Sequence, residues 1–300
     1  MQIKKVEKKL NNLKNISLKV NNEKNIYLIN IMKLNQKLSY FIRNCAKDKD
    51  LILLIQKKFA IKNPLIGKIK TKFSKSFEKL TNFVLAKRNL WIYLTEEQKY
   101  ETDSYSRYEE KILEMAKKHS TDFITIGKRA EQFCKTNQLN IIQNFDIESP
   151  NLSSNIVSIV KILYWYNDYE NVYFVINSNK NYNMPFQILP ITQFNINKIM
   201  GEDREQASGV NLNIEKMKIY PNVSDYIKTE IDIFLENAIS ALIVESSFYK
   251  AKIGLVTTNK IIKELDEEVN ALNKKIVKFR REREIEDIVL ITKNNKNFSM

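Results

Sequence analysis

The sequence predicts an α+β (α/β) fold: a long antiparallel coiled coil of the N- and C-terminal helices, with an α/β domain inserted between them. Three observations predict it. Apolar residues recur at a 3.5-residue period towards both ends of the chain. Short aliphatic and aromatic runs alternate with helical segments in the middle. The 300 residues include only five Gly and five Pro, too few turn formers for a β-sandwich, a barrel or Gly-rich catalytic loops.

The first element is a helix. Steps of three and four from Ile3 pass through Val6, Leu10, Leu13, Ser17, Val20, Lys24, Tyr27, Ile31, Leu34, Leu38, Phe41, Cys45, Asp48, Ile52, Ile55 and Phe59, and fourteen of these seventeen positions are apolar. A heptad held this long implies a left-handed coiled coil, because a straight helix would drift off the seam. Pro64 and Gly67 end it, which assigns residues 1–62 to an N-terminal shaft helix about 85 Å long.

The middle of the chain changes period. Leu90-Trp91-Ile92-Tyr93-Leu94 reads as a buried strand, and Ser104 is placed to cap a helix running to about His119. Strands at 122–126 and 140–145 flank a helix opened by Gly127. A helix over 152–166, a strand over 172–176 and an edge strand over 187–191 follow; Pro190 is tolerated at an edge. Strands alternating with helices give a Rossmann-like, mostly parallel α/β domain over 88–192. Trp91 and Trp165 read as core residues. Residues 193–222 are polar and irregular and read as a linker. A second long helix then covers 223–292. One seam runs through Leu235, Leu242, Tyr249, Ile253 and Val256; a second, shifted near Lys260, runs through Leu265, Val269, Leu272, Ile276 and Phe279. Two long seams at opposite ends of one chain pair most simply with each other.

Composition narrows the chemistry. The chain is 43% apolar, enough to bury a core, and carries a formal charge of +14. Such a charge suits a polyanionic partner, although abundant Lys, Ile and Asn (about one residue in eight is Asn) also reflects codon bias in an AT-rich genome. A single His excludes a His-based metal cluster and leaves a Ser-His-Asp triad one ring to rest on. Cys45 and Cys134 show no disulfide spacing, which fits a reducing cytosol. No apolar run reaches the length of a membrane span. Gly127 stands alone, without a phosphate-loop motif. Glu96, Glu97, Glu101 and Asp103 follow the first strand and read either as a metal site or as a solvated loop. No nucleic-acid-binding motif accompanies the basic clusters.

In order and spacing, several segments resemble the gamma subunit family of F-type ATP synthases. They are Val6-Glu7-Lys8-Lys9-Leu10 with Leu13 and Asn15, Ile31 to Gln36, Asp122 to Arg129 with Phe133, Tyr169 to Asn177, Leu189-Pro190-Ile191, Ala241-Leu242 with Glu245-Ser246, and Arg280-Arg281 with Ile285. The family's Gly-Leu-Cys-Gly-Gly segment after the first strand is replaced by Thr95 to Asp103, and its Ile-Thr-Lys-Ala-Met turn by Val20 to Lys24. The resemblance implies a central-stalk rotor shaft of an F1-like ATPase. It implies an α3β3-type nucleotide-binding ring as partner, and an epsilon-like subunit or other output partner at the α/β foot. Any membrane association would run through those partners, so the chain itself is expected to be cytoplasmic, at the inner face of the cell membrane through its complex.

The same resemblance implies that the chain is non-catalytic and binds no cofactor, with ATP and Mg on the ring subunits. The departures point to a paralogous motor, for example one used in motility, of the kind found in AT-rich, wall-less bacteria. Arg280, Arg281 and Arg283 are the expected charged contacts with the ring, and Ile285, Ile288, Val289 and Ile291 the apolar tip. Leu10, Leu13, Val20, Ile31, Leu34 and Leu38 on one helix, with Leu265, Val269, Leu272, Ile276 and Phe279 on the other, are the expected shaft seam. A non-rotary coiled-coil scaffold with an α/β head, and a basic nucleic-acid-binding protein, are the alternative readings.

Overall fold

The computed structural model describes residues 2–67, 88–97, 105–117, 120–166, 169–179, 185–200 and 218–297. Helix α1 spans Gln2–Phe59. Strand β1 (Arg88–Leu94) is followed by α2 (Ser106–Ala116), β2 (Ser120–Ile126), α3 (Lys128–Thr136), β3 (Asn140–Phe145), α4 (Leu152–Tyr166), β4 (Tyr169–Val175) and β5 (Phe186–Leu189). A 3₁₀ turn at Ile191–Gln193 and a four-residue helix, α5 (Asn197–Met200), precede α6 (Val223–Asn297). By contact, the chain divides into two compact units, Met1–Ile31 with Ala251–Met300, and Met32–Lys250.

In the second unit the five strands form one mixed sheet in the order β3-β2-β1-β4-β5. The first four strands run parallel and β5 is antiparallel on the edge. β1 is central and buried on both faces, which explains why its sequence is an unbroken apolar run rather than an alternation. One face, with Leu90, Ile92 and Leu94, packs on α4 and on residues of α1 and α6 such as Ile52 and Leu235. The other face, with Trp91 and Tyr93, packs beneath α2 and α3. At the amino ends of the strands, the buried Asp122 carboxylate accepts from Arg88 (2.8 Å), from Asn140 Nδ2 (2.6 Å) and from the Tyr169 hydroxyl (2.5 Å). One side chain thus ties four neighbouring strands.

Every α1 seam position from Ile3 to Ile55 is buried or half-buried. Phe59 is exposed because the helix stops there, with Ala60 in the left-handed region at φ 49°. The polar seam residue Asp48 is accommodated by Asn237 of α6, whose amide donates to its carboxylate at 2.8 Å. Burial is the main cause of the raised Asp48 pKa and of the lowered Lys49 pKa. The Lys49 ammonium donates to the Phe194 carbonyl.

In the first unit, Ile276 is buried and Leu265, Val269, Leu272 and Phe279 are half-buried. Val256, read as a seam residue, is 69% exposed. Ala251, Gly254 and Thr258 take the inward positions instead, because the Tyr27 ring lies against the helix there. A Cβ on Gly254 would stand 2.4 Å from Tyr27 Cζ.

Two other expectations change. Trp165 is 55% exposed: the buried stripe of α4 is Leu152, Ile156, Val157, Val160 and Tyr164, which turns Ile162, Trp165 and Tyr166 outward. The stretch read as a linker contains the fully or nearly buried Phe194 and Ile199. Ser104 and His119 lie outside the described residues.

Candidate functional site

Two places on this chain invite a functional reading: the carboxyl edge of the sheet, where α/β proteins bind ligands, and the C-terminal part of α6.

At the carboxyl edge, Gly127 links β2 to α3 with φ +90°. The reason for glycine is steric, since a Cβ there would stand 2.2 Å from the Thr95 carbonyl oxygen. Thr95 also fills the amino end of α3, where its hydroxyl accepts from the Ala130 amide at 3.0 Å. Arg129, in the Gly-basic turn, is committed to Glu109 through two bonds of 2.8 and 2.9 Å and lies 5.1 Å from the Tyr105 ring centroid. Glu109 in turn accepts from the Tyr93 hydroxyl at 2.9 Å. Burial, then the Glu109 charge, raises the Tyr93 pKa, while burial pushes Tyr105 up to about 12.

The acidic run after β1 does not gather. Glu96 is bound to Ser247 Oγ (3.0 Å) and lies 3.5 Å from Lys250 Nζ, Glu97 pairs loosely with Lys128 at 3.8 Å, and Glu101 and Asp103 lie outside the described residues. Among the described residues no group of His, Cys, Asp and Glu is placed to hold a metal ion. Cys45 and Cys134 are separate, buried free thiols, and burial raises both pKa values, that of Cys134 to about 12.

The C-terminal part of α6 has the opposite character. Arg280 Nη2 donates to Glu7 Oε1 at 3.0 Å across a solvent-exposed pair. Arg281 and Arg283 are exposed. Ile285, Ile288, Val289 and Ile291 are 47–61% exposed, and Leu290, which the sequence reading left out, is 59% exposed. They follow one another too closely to share one helical stripe, so several faces of the helix carry aliphatic side chains. Among the described residues no helix is long and apolar enough to cross a membrane.

Sequence reasoning identified Glu245-Ser246 only through a resemblance. The structure buries both at the sheet edge, with the Ser178 hydroxyl donating to Glu245 Oε1 at 2.9 Å. The available signal was a polar Glu-Ser-Ser run, residues 245–247, inside an otherwise apolar helical stretch.

No family model matches the chain. Its structural neighbours are ATP synthase central-stalk and rotor chains at low identity. The rotor of the Euglena gracilis mitochondrial ATP synthase is 12% identical, covering 94% of this chain and 98% of that one, with a TM-score of 0.42. A second Euglena gracilis structure, of the OSCP/F1/c-ring, gives 11%, 99%, 94% and 0.47. The Tetrahymena thermophila central stalk and c-ring structure gives 14%, 81%, 98% and 0.49. These values are too low to carry a function across. At the sequence level the chain is 45% identical over 298 residues to the uncharacterized protein UU050 of Ureaplasma parvum serovar 3, spanning 99% of this chain and 96% of that protein. The chain therefore belongs to the same family as UU050.

Proposed function

We propose that the chain is the central shaft of an F1-like rotary ATPase. In this reading residues 1–62 and 223–292 pair as the coiled-coil shaft, 88–192 form the foot and 193–222 connect them. The observation that carries the reading is the exposed, aliphatic C-terminal part of α6, from Ile285 to Ile291, following the Arg280–Glu7 pair. Five exposed aliphatic side chains within seven residues call for a partner. Collinear gamma-like segments along the sequence support a ring of nucleotide-binding subunits as that partner. Contacts at Arg280–Glu7 and Tyr27–Gly254, which run in opposite chain directions, support pairing of the two helices.

The chemistry would belong to the ring, with ATP and Mg bound there. The shaft contributes asymmetry: as it turns, its differing faces bias the conformation of each ring subunit in sequence. Arg280, Arg281 and Arg283 supply charged contacts, and the foot passes torque to an epsilon-like subunit or another output partner. The replaced segments at 20–24 and 95–103 support a specialised paralogous motor, for example one for motility, over a proton-coupled synthase.

Co-purification with a 3:3 ring at physiological salt is the first requirement. Rotation is tested by one Cys at Ile288 and one on the facing loop of a ring subunit. The native thiols are buried and stay in place. Oxidation should stop multi-turnover hydrolysis, and reductant should restore it. Full turnover in a verified cross-linked complex would leave a static scaffold and remove the rotor.

A further inference from the structure

We propose that the ligand crevice of the sheet is a permanent socket for the chain's own helix α6, which takes the place that a bound molecule holds in other α/β sheets. Strand order β3-β2-β1-β4-β5 reverses at β1: the chain leaves β1 for β2 and β3, then returns to β4 on the other side. Such a reversal opens a crevice at the carboxyl ends of the two central strands. Here its walls are Thr95 and Glu96 after β1, and Asn177 and Ser178 after β4.

The crevice is filled from both faces of the sheet. From α6, Glu245 is fully buried and accepts from Ser178 Oγ at 2.9 Å, while Ser247 Oγ donates to Glu96 Oε1 at 3.0 Å and Lys250 Nζ lies 3.5 Å from Glu96 Oε2. From the α2 side, the Tyr108 hydroxyl donates to the Ser178 carbonyl at 2.5 Å, and the Tyr105 hydroxyl accepts from the Glu96 amide at 2.9 Å. The adjoining niche at the amino end of α3 is closed by Thr95. A phosphate or dinucleotide thus finds both of its usual positions taken.

Polar contacts are the reason to read this as a socket rather than as ordinary packing. The apolar stripe that includes Leu242 sets which face of α6 meets the core, but apolar contacts alone tolerate small shifts of angle and register. Directional hydrogen bonds to buried groups are costly to leave unmade, and buried polar partners are the best-attested devices for fixing register. Ser178–Glu245 and Glu96–Ser247 therefore fix the angle of α6 on the sheet. This goes beyond the shaft reading and stands whether or not the chain rotates.

The test is hydrogen exchange on the full chain carrying Ser178→Ala, Glu245→Leu, or both; leucine is close in size to glutamate and has no acceptor for the Ser178 hydroxyl. Expected is an at least tenfold faster exchange of amides in residues 242–250 and 175–178 in either single variant. The double variant should exchange no faster than the faster single, because each change alone already breaks the Ser178–Glu245 bond, and residues 111–116 of α2 should be unchanged. Rates within twofold of the parent in Ser178→Ala overturn the socket, including where Glu245→Leu does not fold. Independent multiplication of the two effects, or acceleration spread equally over α2, also overturns it. Calorimetry of the parent chain with Mg-ATP and with NAD should give no binding heat. Micromolar binding of either would make the crevice a ligand site and end the proposal.

Discussion

Between Ile227 and Leu242, helix α6 turns eight apolar side chains into a closed core: Ile227, Ile231, Phe234, Leu235, Ala238, Ile239, Ala241 and Leu242 are all buried. Between Arg281 and Ile291 the same helix buries none of its side chains. The first region is held by tertiary packing, the usual source of helical stability in proteins. The second is supported by its own backbone and by local charge pairs such as Lys278–Glu282, four residues apart at 3.8 Å. Aliphatic residues therefore carry two meanings in one helix. Where they share a stripe with a facing sheet they build the fold, and where they surround the helix they stay exposed.

The largest expected effect falls in the packed region. Phe234 is fully buried and meets Phe194 edge-on at 5.5 Å. Phe234→Ala should lower stability by about 3–5 kcal/mol. Ile288→Ala should stay within about 0.5 kcal/mol of the parent chain. Urea denaturation measures both, and similar losses would erase the distinction between the two regions.

A smaller effect, opposite in sign, is expected at Asp48. Its pKa is raised, chiefly by burial, with the Asn237 bond opposing. The folded chain therefore holds this proton more tightly than the unfolded chain. Stability is greatest below the unfolded carboxyl value and falls as pH climbs through the folded one. Asp48→Asn removes that loss, so its Tm should exceed the parent's by a few degrees at pH 7. The gain should shrink as pH falls towards about 4. A gain independent of pH would assign the effect to something other than the buried charge.

The smallest effect concerns Arg280. Its pair with Glu7 is exposed, with side chains 65% and 39% accessible, so Arg280→Ala should cost the isolated chain less than about 0.5 kcal/mol. Under the proposed shaft reading, changing Arg280, Arg281 and Arg283 together to Ala should nevertheless lower ATP hydrolysis by the assembled complex. A large stability loss in the single variant would make Arg280 part of the fold. Unchanged turnover in the triple variant would remove these residues from the ring contact.

Periodicity by itself determined the two long helices and most of the strands, because a buried seam or a central strand needs apolar residues at fixed spacing regardless of what faces them. It placed β3 at Asn140–Phe145 and α4 at Leu152–Tyr166, and it marked the α1 seam. Only the tertiary structure decided which way marginal residues turn. Trp165 faces outward because α4 already has a complete buried stripe, and Val256 because Tyr27 requires Gly254 on the inner face. Glycine at Gly127 was legible as a turn, whereas its cause, the Thr95 carbonyl 32 residues earlier, was not. The crevice partners Ser178 and Glu245, 67 residues apart, left no mark that spacing could reveal. Hydrogen bonds between distant side chains obey three-dimensional proximity, and a one-dimensional period carries no record of it.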